Sequence, residues 1–295
     1  MIIVCACCLI ALVVLCPQPA LAWGPVTHVA LGVQVLATVV TPDHPLQAVL
    51  LNLPEIFLYG GLAPDIVQGR RLQSRLRRHS HNWETGLGLL KAAHTNEHRS
   101  LAYGYLAHLA ADVVAHNYFL PARFIGRFES GIASHLYTEA RFDSFQDRSY
   151  HDLLVKLLDV DFRALNRTLK RAIDSPLFPF AAHRTLFEGG LRRIRQFNRL
   201  IRALGEPDPD ELEDVELFNR SSCSAIGGIF RDLDRAPACR FDPMGGQAIR
   251  SAIDLRRNLQ RLVRINPAAA NAARQMSSTM LEDVRIHLRQ SPFAS

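Results

Sequence analysis

The segment AYGYLAHLAADVVAHNYFLP (102–121) carries two histidines and an aspartate, His108, Asp112 and His116, at i, i+4 and i+8. On a helix this spacing puts all three on one stripe, while Leu, Ala and Val fill the others. Two imidazoles and a carboxylate on one side of a core helix suit zinc. The plainer alternative is a buried aspartate hydrogen-bonded between two core histidines.

Other segments supply further donors. SHLYTEARFD (134–143) offers His135 and Glu139 one turn apart, as a second ligand pair or as an exposed helix pair. GGLAPDIV (60–67) places Asp65 after a Gly-Gly pair and a proline, free to point inward or to act as an N-cap. RRHSHNWETG (77–86) supplies His79 and His81, of which one is expected to be a ligand. His28 lies five residues after Trp23. Residues 1–22 are uncharged and apolar and end in Ala20-Leu21-Ala22, so they read as a cleaved secretory signal. Cleavage there would expose the Trp23 α-amino group, whose mild pKa suits chelation to a metal together with its own carbonyl. The alternative is a Trp that simply packs at the chain start.

Positioning these residues falls to helices. Apolar residues recur at helical spacing and strand-like alternation is scarce, which predicts an all-α bundle. Helices are predicted over Thr27–Val40, Leu46–Tyr59, Trp83–His94, Glu97–Asn117, Gly131–Phe145, Asp152–Ile173, Ala182–Leu204, Gln247–Ile265 and Pro267–Arg289. Breaks are predicted at Gly60-Gly61, at Pro121, across Ser175 to Pro179 and in the acidic stretch Gly205 to Asp214. This divides the chain into a signal (1–22), a helical domain (23–204) and a C-terminal helical segment (205–295) packed on the same domain.

The formal net charge of +6 belongs entirely to the mature chain and favours anionic partners: membrane surfaces, nucleic acid or phosphoesters. Four of the six cysteines lie in the signal. The remaining pair, Cys223 and Cys239, could form one bridge in an oxidising compartment or remain two buried thiols. The segment from Leu191 to Arg202 alternates arginines with apolar residues, as an interfacial helix or as a solvated face over the core.

Taken in order from Trp23 to Asp143, these segments resemble the zinc-dependent phospholipase C family, which also includes secreted zinc nucleases. The resemblance implies an all-helical fold with three zinc ions, one held partly by the first mature residue. Carried onto this sequence, Trp23, His28 and Asp112 would hold one zinc. Asp65, His81, His108 and the bridging Asp112 would hold a second, and His116, His135 and Glu139 a third. His81 is preferred to His79 because Ser80-His81 followed by an aromatic matches the family's segment. The step from Asp112 to His116 is two residues shorter than in the best-known members.

The resemblance also makes Asp65 the candidate general base for attack of an activated water on phosphorus. The expected protein is a secreted or periplasmic phosphodiesterase, acting as a monomer on phospholipid or another phosphodiester. Peripheral membrane-surface contact is among the expected interactions. The alternatives are a secreted nuclease, for which Tyr118, Phe119, Phe124 and Phe128 could be stacking platforms, and a non-catalytic binding module stabilised by its metals.

Overall fold

Helix α1 (Pro25–Thr38) starts with proline at its first position, where no backbone N–H is needed. The computed structural model describes residues 23–41, 43–67, 78–129, 135–174, 179–203, 205, 209–290 and 293, without the side chains of 135–137 and 139. The predicted signal, residues 1–22, lies outside the described residues. No strand occurs among them, and the chain is all-α. No helix among them is long and apolar enough to cross a membrane.

After α1 come α2 (Gln47–Leu50), α3 (Pro54–Leu62), a 3-10 turn (Ala63–Ile66), α4 (Trp83–Lys91) and α5 (Asn96–Val114). The path continues through a π turn (Ala115–Phe119) into α6 (Leu120–Gly126). Then follow α7 (His135–Ser144), α8 (Arg148–Leu157), α9 (Arg163–Ala172), α10 (Phe180–Leu191), α11 (Ile194–Ala203), α12 (Pro209–Asp232), α13 (Gly246–Ile265) and α14 (Ala270–Arg289). Helix α5 is the axle: from Ser100 to Val114 every residue is buried, as expected of a helix enclosed on all sides. Helices α3, α4 and α12 pack directly against it.

Several predicted boundaries move, each for a physical reason. Gly60-Gly61 is not a break but part of α3, which crosses α5 so closely that a Cβ at Gly60 would strike the Leu101 carbonyl and one at Gly104 the Phe57 carbonyl. The predicted Leu46–Tyr59 helix instead ends before Pro54, which starts a new one. Pro121 sits in the first turn of α6, so a π turn replaces the predicted stop. The acidic stretch after Gly205 contains the start of α12, because Pro209, Asp210 and Glu211 form a favourable first turn. Cys223 and Cys239 are free thiols, not a bridge. Cys223 turns toward Gln34 and Cys239 toward the Leu233 carbonyl. Burial pushes Cys223 up to about 12 and Cys239 up to about 11, aided at Cys239 by the charge of Asp234, which favours the protonated thiol at both positions. Helix α11 buries Asn198 and Ile201, while Arg192, just before it, and Arg195 pair with Asp159 and Asp152. It is a solvated helix laid over the core.

Candidate metal centre

The small residues at the α3–α5 crossing bring the Gly61 carbonyl to 2.8 Å from His108 Nδ1. A carbonyl only accepts, so Nδ1 carries the proton and the opposite ring nitrogen, Nε2, is turned inward with its lone pair. Directly after α3 the 3-10 turn presents Asp65, which is 3 % exposed.

His81 arrives on the loop before α4. Its Nδ1 lies 3.0 Å from Ser80 Oγ, and the Tyr105 hydroxyl on α5 donates to the Ser80 carbonyl. Burial, with a smaller contribution from the Asp65 charge, pushes the Tyr105 phenol well above its usual range and keeps it a neutral donor. His81 is therefore held from two sides and points Nε2 at His108 Nε2, 3.2 Å away. The same atom is 3.2 Å from Asp65 Oδ1 and 3.5 Å from Asp112 Oδ2. Asp112 Oδ2 is in turn 3.3 Å from His108 Nε2. His79 is only partly buried and stays in the loop, where its carbonyl accepts from Thr85.

The amino-terminal segment closes the other side. The Trp23 ring is fully buried against Phe119 and Phe142, with centroids at 4.8 and 4.2 Å, and its indole N–H donates to the carbonyl of Ala111, the residue before Asp112. Thr27 donates through both its backbone N–H and its hydroxyl to Asp143 Oδ1, so Asp143 caps the first turn of α1 in trans. A Cβ at Gly24 would collide with that carboxylate. One turn into α1, His28 stacks on His108 at 3.8 Å between centroids and brings Nε2 to 3.4 Å from Asp112 Oδ1.

Asp112 is thus approached by imidazoles on both oxygens and is fully buried. Burial alone would raise its carboxyl. The charge and hydrogen bond of His108, a hydrogen bond from His28 and the charge of His116 outweigh that and hold it well below the usual carboxylate range. Burial likewise works against a charged His108, but Asp112 and Asp65 raise it above the usual imidazole value.

His116 is buried in the π turn. Its Nδ1 donates to the Pro243 carbonyl at 2.5 Å and lies 3.8 Å from Asp112 Oδ2. The partner loop, which precedes α13, also accepts from Asn117 at the Asp242 carbonyl and from Trp83 at the Phe241 carbonyl. Gly245 adopts φ of +56° with its Cα against His116, leaving no room for a side chain. Composition gave no sign of this loop; the Pro-Met-Gly-Gly turn was its only trace in the sequence. Helix α7 begins at His135, and the side chains of His135 and Glu139 lie outside the described residues.

Among the described residues two donor groups converge closely enough for a metal, His28 with Asp65 and His108, and His81 with His108 and Asp112. Imidazoles whose outer nitrogens are tied down, facing carboxylates in a buried place, are a donor set that zinc fits once it displaces the protons on their inner nitrogens. An all-α chain built around such a centre is a helical metalloprotein. The sequence profile of zinc-dependent phospholipase C matches residues 27–183, and the chain belongs to that family. No curated protein and no solved structure matches the chain. The match starts four residues after Trp23 and extends forty residues past Asp143, where the visible motifs end. Membership makes the protein a zinc-dependent, phospholipase C-like hydrolase of phosphoric esters.

Proposed function

We propose that the mature protein, starting at Trp23, is an exported phospholipase C-like enzyme that cleaves phospholipid with a three-zinc centre. The observation that carries this reading is that His81 Nε2 and His108 Nε2 each lie within 3.9 Å of both Asp65 Oδ1 and Asp112 Oδ2, all buried, inside a chain of this family. In this reading Asp112, Asp65, His81 and His108 would hold one ion, and Asp112 with His28 and the Trp23 amino and carbonyl groups would hold another. His116, His135 and Glu139 would hold the third.

When bound, zinc supplies an activated water and stabilises charge on the phosphoryl oxygens. The protein's own part is positioning. The Gly61 carbonyl and Ser80 aim two imidazoles, and Asp65 accepts the proton released on attack at phosphorus. The Trp23 ring anchors the amino terminus next to Asp112.

The nuclease alternative calls for aromatic platforms. Phe119, Phe124 and Phe128 are buried, and Tyr118 is stacked on His287. None of these four is free to take a base, which favours lipid. A parallel assay of the zinc-loaded mature protein on phosphatidylcholine, single-stranded DNA and a generic phosphodiester tests the reading. Phosphatidylcholine turnover with no DNA cleavage is expected. DNA cleaved faster than lipid would reverse the assignment.

A further inference from the structure

Between Asp254 and Glu282 the chain has no acidic residue and five arginines: Arg256, Arg257, Arg261, Arg264 and Arg274. This stretch forms the distal half of α13, the turn and the first part of α14. The hairpin has only a small core of its own, Phe128, Leu259 and Ala273, with half-buried residues around it. At the tip no described residue covers the apolar side chains. Ile265 is 76 % exposed and Leu262 43 %.

Leu262 and Ile265 lie one turn apart on the same side of α13. Arg261 and Arg264 flank them, exposed and without an ion pair among the described residues. Arg274 and Arg257, by contrast, pair with Glu129 and Asp254. An apolar point ringed by uncompensated cations is the chemistry of a segment that enters an anionic membrane interface. Two side chains are too little surface for a stable dimer, and an aliphatic tip offers no stacking face to nucleic acid.

We infer that the α13–α14 tip docks this protein on anionic phospholipid bilayers, with Leu262 and Ile265 entering the interface and Arg261 and Arg264 meeting lipid phosphates. Helix α13 starts beside His116 and runs about 30 Å to Ile265. The tip is therefore a tether, distinct from the metal centre. The proposal rests on the phospholipid reading for its purpose, but not for the binding itself.

The test uses zinc-loaded mature protein and sedimentation with vesicles of phosphatidylcholine, alone or with about one-third phosphatidylglycerol. The intact protein should prefer the mixed vesicles, and salt should weaken the binding. The double variants L262S/I265S and R261Q/R264Q should each bind about tenfold less tightly. Both should hydrolyse a soluble short-chain phosphatidylcholine at the unaltered rate. Vesicle binding equal in all three proteins, or a change of oligomeric mass in the variants, would overturn the docking surface. If vesicle binding follows the variants but no protein hydrolyses the short-chain lipid, the tether stands and the phospholipase reading falls alone.

Discussion

His108 and Asp112 stand on regular α-helix and are oriented by a neighbouring helix, whereas His116, four residues on, stands in a π turn and is oriented by a loop more than a hundred residues away. The first half is local in construction. Glycines at one helix crossing bring a carbonyl to His108, and the chain that follows brings Asp65. The second half depends on Pro243 and Gly245, which lie beyond the family match. The π turn, Ala115–Phe119, interrupts the α-helical stripe just after Asp112. The difference teaches that donors on one face of a helix can be oriented by separate supports, so that under the proposed three-zinc reading they would serve separate subsites. Damage to one support should therefore leave the other subsite standing.

The largest effect is expected from Asp112→Ala, because in the proposed reading this carboxylate would be shared by two ions. Activity should fall on the order of a thousandfold, and elemental analysis should find more than one zinc missing per chain. Loss of a single ion would mean that Asp112 does not bridge. Next is Gly104→Ala, which forces a Cβ into the Phe57 carbonyl. A loss of about 3 kcal/mol in denaturant unfolding is expected, along with weaker zinc binding around His108. Unchanged unfolding would show that the close crossing is not needed.

A smaller and more selective effect is expected from Gly245→Ala, which strains a left-handed residue and pushes on His116. One zinc should be lost and activity reduced about ten- to a hundredfold, while the ions around His108 and Asp112 remain. Equal loss of all zinc would merge the two halves into one unit.

The local half was legible in the sequence for the same reason that it is local. His108 and Asp112 share a helix stripe that periodicity exposes, Asp65 sits just after a helix end and His81 just before a helix start. The all-α class followed from the same periodicity. What could not be read depended on contacts between distant segments. Gly60-Gly61 looks like a turn until Gly104 is seen against it, and the Pro243 carbonyl carries no side-chain signature at all. The start of α12 was hidden by acidic composition that suits a loop and a helix N-terminus equally well. Asp143, which caps the amino-terminal ligand segment, marked the end of the visible motifs without its capping role being apparent.

The central claim is a zinc cluster completed by the amino terminus, and zinc per chain measured by elemental mass spectrometry tests it most directly. Two preparations are needed, one starting at Trp23 and one retaining an extra Met before it. Three zinc ions are expected in the first and two in the second, since the added residue turns the Trp23 amine into an amide that cannot bind metal. One ion or none in the first preparation, or equal zinc in both, would contradict the account.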